Sequence, residues 1–170
     1  TLMLSAVVGV LAGVMAVVFR TLLDATELLR DTASTGLWER YHYLGAIAVI
    51  LCTSILGAAA ASLTQMYCPE AGGSGIPHIK AVLITARPMR SARIIITKLG
   101  AGVLALVGGM SLGREGPTVH IGGAIAALFS KGFHLSGRTQ RHLIAAGAGA
   151  GLAAVFNAPL AGFLFIMEEL

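Results

Sequence analysis

The sequence predicts an all-α integral membrane protein, a multi-helix bundle of tilted, broken and re-entrant helices, on three observations. Apolar residues fill 56% of the 170 positions and charged residues only 12%, more apolar surface than a soluble domain can bury. The charges are bunched, so that residues 1–19, 41–69 and 143–167 contain no Asp, Glu, Lys or Arg. Each window is close to or above the roughly 20 residues that take a helix across a hydrocarbon core about 30 Å thick. Glycine and proline also crowd together at three places within the apolar sequence, where a regular helix has to break.

The first two windows predict spans joined by a loop over residues 20–40, which holds Arg20, Arg30 and Arg40 against Asp24, Glu27, Asp31 and Glu39. That loop is expected outside. Residues 80–98 carry Lys80, Arg87, Arg90, Arg93 and Lys98 with no acid, and residues 131–142 carry Lys131, Arg138 and Arg141. The positive-inside rule places both of these loops in the cytoplasm. The formal net charge of +4 is thus explained by loops between spans, and nucleic acid is not an expected partner.

Two shorter uncharged windows, 99–113 and 116–130, meet at Arg114 and Glu115. With cytoplasmic loops on both flanks they must enter the membrane and return, turning at Gly113–Pro117. The last window breaks again at Asn157-Ala158-Pro159, because proline donates no hydrogen bond and its predecessor resists the α conformation. Glu168 and Glu169 then head back inside. The third irregular stretch, Pro69 to Pro77, is expected to lead into a short helix over 79–85. Non-helical backbone of this kind is tolerated at membrane depth only when buried in protein or lining a wet cavity, and it marks transport sites.

Pro117 and Pro77 sit just inside two helix starts, the favoured place for proline. The free amides of such starts, with the positive end of the helix dipole, attract an anion. Ser74 adds a hydroxyl donor without a full charge. Two helix starts aimed inward predict a neutral, anion-seeking pocket. Glu115 is an acid at membrane depth and therefore a functional candidate whose carboxylate can take the anion's place. Neighbouring residues on a tight turn point apart, so Arg114 reads as an anchor or an electrostatic lure rather than a partner for Glu115.

Several features ask for no ligand. Gly9 with Gly13, Gly109 with Gly113, and Gly147 with Gly151 are spaced for close helix packing. Cys52 and Cys68 lack metal-cluster spacing and are each expected as buried thiols. No metal or cofactor is expected. The opening at Thr1, apolar from the outset, reads as cut from something longer.

The stretches Gly73-Ser74-Gly75-Ile76-Pro77, Gly113-Arg114-Glu115-Gly116-Pro117, and Phe156-Asn157-Ala158-Pro159-Leu160-Ala161-Gly162 through Glu168-Glu169 resemble, in order and spacing, the signature motifs of the CLC chloride channel and transporter family. The resemblance covers nearly the whole chain. It implies chloride transport by a homodimer of prokaryotic type in the bacterial inner membrane, in which residues 1–170 form a single transmembrane unit, the first of two inverted-topology repeats. It further implies a chloride-binding set of Ser74, Gly75, Arg114, Glu115 and Gly116. Glu115 would be the gating and proton-carrying glutamate, and Glu169 the inner proton-transfer glutamate of the exchangers. Proline in place of Ser74 goes with nitrate preference in the family. The family's remaining anion ligands belong to a second half, and Tyr41, Tyr43 and Tyr67 do not occupy the place of its tyrosine.

Proton-coupled chloride exchange is the expected function, with a passive chloride channel as the alternative. Gly72-Gly73-Ser74-Gly75 also satisfies the Gly-x-Ser-Gly pattern of an intramembrane serine protease. A serine nucleophile needs a neighbouring base, and His120 is the one histidine well inside an apolar window, with His78, His134 and His142 assigned to loops. An enzyme is not expected.

Overall fold

The computed structural model describes residues 2–85, 89–110, 112–135 and 137–170. Its helices are α1 (Leu2–Tyr67), α2 (Ile76–Thr85), α3 (Ser91–Val107), α4 (Glu115–Gly132), α5 (Gly137–Phe156) and α6 (Pro159–Glu169), with a 3₁₀ turn at Pro69–Ala71. There is no strand among the described residues.

Helix α1 is two helices joined at His42, whose backbone leaves the helical region (φ 43°, ψ −111°). A side chain at Gly45 would run into the Leu37 carbonyl. Eight residues along a straight helix lie about 12 Å apart, so this approach requires the chain to fold back at His42. The sequence-based loop over 20–40 is therefore corrected to helix. Charge ends a membrane window without ending a helix: Arg20 and Asp24 form an i,i+4 pair (3.8 Å), and Phe19, Leu23 and Thr26 bury one face of the same segment. Phe19 and Leu23 pack with Leu106 of α3 and Ile121 of α4.

The in-and-back hairpin is α3 followed by α4. Helix α3 begins at Ser91, eight residues before the uncharged window, because Arg93 and Lys98 are absorbed into it. Gly109 adopts φ +72° just past its end, the left-handed conformation that glycine adopts without a Cβ penalty. Helix α4 is the buried centre of the molecule, with Gly116, residues 118–124, Ala126, Ala127 and Ser130 all enclosed. Helix α5 crosses it at backbone distance: a Cβ at Gly122 would strike the Gly147 carbonyl, and one at Gly151 the Thr118 carbonyl. Of the glycine pairs, Gly147 with Gly151 serves packing as expected, whereas Gly13 faces open space.

The break at Asn157-Ala158-Pro159 is present, with Asn157 at φ 51°, and α6 returns along α5 so closely that Gly162 meets the Gly149 carbonyl (2.5 Å from a built Cβ). Cys68 is buried but Cys52 is exposed, on a stretch of α1 whose apolar side chains, Ile50, Leu51 and Ile55, are also uncovered. His78 and His142 lie in α2 and α5 rather than in loops. Arg87 falls outside the described residues.

Polar contacts tie each end of the bundle. At one end the Arg114 guanidinium donates to Asp24 (2.6 Å) and Glu27 (2.9 Å). At the other, Lys131 donates to the Met89 carbonyl (2.6 Å) and Lys80 to Glu169 (3.3 Å). These groupings match the expected outer and inner loops. Single cysteines at Thr85 and Arg138, with Cys52 replaced by Ser, should accordingly be labelled by an impermeant maleimide from the cytoplasmic side, and one at Thr35 from the opposite side. Labelling of Thr35 and Arg138 from one side would break this topology. Gly122→Leu should destabilise the fold by about 1–3 kcal/mol or more through overpacking, read as a lowered thermal midpoint, whereas Gly13→Leu should leave it nearly unchanged.

Candidate functional site

The site is assembled where α2 and α4 begin. Ile79 N–H donates to the Gly75 carbonyl as the first backbone bond of α2, and Thr118 N–H to the Arg114 carbonyl as the first of α4. The amides ahead of each have no backbone acceptor among the described residues, as helix starts require. Gly116 brings the two starts together: a Cβ there would lie 2.8 Å from Ser74 Cα, Cβ and O. Any side chain at Gly116 would push the Ser74 turn off the end of α4.

A cavity of about 660 Å³ opens over this junction, and its wall includes Ser74, Glu115, Gly116, Gly113, Thr97 and Lys98. The structure thus unites Ser74 with Glu115 and Gly116, residues about forty positions apart in the chain. Neither the Ser74 hydroxyl nor the Glu115 carboxylate has a hydrogen-bond or salt-bridge partner among the described residues. The Glu115 side chain lies back over Gly113, its Oε2 2.5 Å from where a Cβ on that glycine would be.

Gly75 is buried with φ +87° and is packed on the His120 ring instead of lining the cavity. The Arg114 side chain is turned away to Asp24 and Glu27 as the anchor of the turn, one of the two roles its sequence position suggested. Glu169 is 47% exposed and paired with Lys80, because α6 packs through Gly162 and leaves the polar end of the helix uncovered. Tyr41, Tyr43 and Tyr67 do not line the cavity.

Sequence reasoning missed Lys98. Read as a cytoplasmic loop charge, it is instead 7% exposed within α3, lines the cavity, and donates to the Gly73 carbonyl at 2.6 Å. The pocket is therefore not free of fixed positive charge. A lone cation between Ile94-Ile95-Ile96 and Leu99 was the available signal, since an isolated charge in an apolar run faces a protein interior or a cavity. His120 was also read as lacking a partner, and it has one in His78 (Nδ1 to Nε2, 2.9 Å). Neither histidine is hydrogen-bonded to Ser74.

Residues 56–170 match the family described as "Voltage gated chloride channel". The chain belongs to that family. Among solved structures it is similar to "a slow cyanobacterial Cl-/H+ antiporter", at 35% identity and a TM-score of 0.91 over 98% of this chain. It spans 39% of that antiporter chain. As a voltage gated chloride channel family member it is an all-helical integral membrane protein, which explains why so many large apolar side chains of α1 and α6 are uncovered.

If Lys98 holds the Ser74 turn, Lys98→Met should destabilise the fold by roughly 1.5–3 kcal/mol, the worth of a hydrogen bond to a charged group. A lowered thermal midpoint of the full-length protein checks this, and an unchanged midpoint would leave Lys98 a packing residue.

Proposed function

We propose that the full-length protein exchanges chloride for protons across a bacterial inner membrane as a homodimer, with this chain supplying the first of two inverted repeats. The observation that carries the reading is the pairing in one cavity wall of a hydroxyl and a carboxylate, Ser74 and Glu115, neither with another partner among the described residues. The resemblance to a solved Cl-/H+ antiporter supports it.

In this reading Ser74 and the amides at the starts of α2 and α4 bind chloride through donors and dipoles aimed at one place. The same donors favour the Glu115 carboxylate, so anion and carboxylate compete. A proton arriving from outside neutralises Glu115, removes its negative charge from the site and lets chloride occupy it. One carboxyl then serves as gate and proton carrier. Release of that proton inward passes through Glu169, whose carboxylate lies 3.3 Å from Lys80 Nζ. No metal or cofactor takes part, and chloride and protons are the substrates.

A passive chloride channel is the second reading, and the exposure of Glu169 beside Lys80 favours it. There Glu169 would be a surface charge. In proteoliposomes Glu115→Gln should keep chloride flux and lose proton flux, because the amide imitates the neutral acid and cannot titrate. Glu169→Gln should reduce proton flux while chloride still moves. Chloride flux in the unaltered protein without any proton flux would decide for the channel. Ser74→Pro should raise the nitrate to chloride permeability ratio, and an unaltered ratio would remove Ser74 from the anion site.

A further inference from the structure

Beneath the Ser74 turn lies a chain of three titratable side chains that the proposed transport cycle does not use. His120 is the sixth residue of α4 and fully buried, and its Nε2 is 2.9 Å from Nδ1 of His78 on α2. His78 Nε2 in turn faces Glu70 Oε2 at 3.9 Å. That oxygen is buried with no hydrogen bond, as is His120 Nδ1. Glu70 is held from its other oxygen by Arg90 at 3.9 Å.

The two rings meet because α2 and α4 lie side by side, Gly75 resting on His120 and Gly123 on Ile79. A Cβ at Gly75 would overlap the His120 imidazole at Nδ1 and Cγ. Together with φ +87°, this makes glycine the residue that lets the turn lie directly on the ring. The imidazole is the floor of the Ser74 turn.

An N···N hydrogen bond between imidazoles carries one proton, and there are two ways to place it. If His78 Nδ1 held it, a neutral His78 would point a bare Nε2 lone pair at the Glu70 carboxylate. His120 would then carry its own proton on Nδ1, aimed at the Gly75 backbone with no acceptor, and a buried donor would be left unsatisfied. If His120 Nε2 holds it, His78 carries its proton on Nε2, directed at Glu70. His120 Nδ1 is then a bare nitrogen under Gly75, where no space for a hydrogen is needed. Both ends of the chain select the second arrangement.

We propose that His120 and His78 are a tautomer-locked pair, every N–H directed toward Glu70, that positions the Ser74 turn on α4. The pair acts through Gly75 and touches no anion. Its link to chloride rests on the function proposed above, whereas the tautomers do not.

Solid-state ¹⁵N NMR of the full-length protein labelled at histidine, in bilayers, tests the arrangement, with His78→Gln and His120→Gln assigning the signals. Both rings should be neutral with the proton on Nε2. A proton on His120 Nδ1, or a doubly protonated His78, overturns the lock. Chloride titration tests the positioning role. His120→Leu fills the space without a donor and should lower chloride affinity by roughly ten-fold, as loss of one buried hydrogen bond with its partner left unpaired predicts. His120→Gln, whose amide can donate to His78 Nδ1, should recover most of that loss. Equal affinities for the Leu and unaltered proteins would show that the pair does not position the turn. If His120→Leu does not fold, His78→Leu is read in the same way, and the NMR result stands by itself. An unaltered protein that binds no chloride would fail the functional reading alone and leave the tautomer result intact.

Discussion

Helix α4 is met at backbone distance on two sides, by the Ser74 turn at Gly116 and by α5 at Gly122, and the rest of the arrangement follows from that contact. Between apolar helices in lipid, van der Waals packing replaces the hydrophobic effect as the force of association, so the closest approach sets the geometry. A single methyl at Gly116 or Gly122 would sit within 3 Å of its neighbour's heavy atoms. With α4 held on both faces, its first turn has one place to be, and Glu115 and the cavity wall are placed with it.

The glycine-rich loop ahead of α2 would be a costly segment at membrane depth if its polar groups went unmet. Lys98 of α3 donates to the Gly73 carbonyl, while Arg90 ahead of α3 pairs with Glu70 and the His120 ring of α4 packs beneath Gly75. The loop can therefore be irregular and still rigid, which a site built from backbone amides requires, since amides bind an anion only while they point at it.

Charge is used differently at the two ends. Arg114 fastens the turn between α3 and α4 to Asp24 and Glu27 of α1, so the cation beside the gating candidate is spent on architecture and the carboxylate of Glu115 is left without a partner among the described residues. At the opposite end Lys131 and Lys80 join helix ends to Met89 and Glu169. These pairs are partly exposed and each contributes on the order of 1 kcal/mol or less. Their role is to fix which helix ends lie together more than to add stability.

The sequence by itself determined the membrane class, the hairpin at Gly113–Pro117, the break at Asn157–Pro159 and the pairing of Ser74 with Glu115 as site candidates. Each of these is written locally, in uncharged windows, in proline and glycine, and in the rarity of an acid within apolar sequence. What local pattern could not express was decided by tertiary structure. The charges of residues 20–40 looked like a loop because charge marks the edge of a membrane window, yet one face of that segment is buried against α3 and α4 and it stays helical. Lys98 looked like a loop cation because it ends an acid-free stretch that also holds Lys80, Arg87, Arg90 and Arg93, yet its acceptor is a carbonyl 25 residues away. His78 and His120 are 42 residues apart, and only the parallel seating of α2 on α4 makes them a pair. Spacing along a chain reports contacts within a helix, whereas a contact between helices depends on how close their backbones can come.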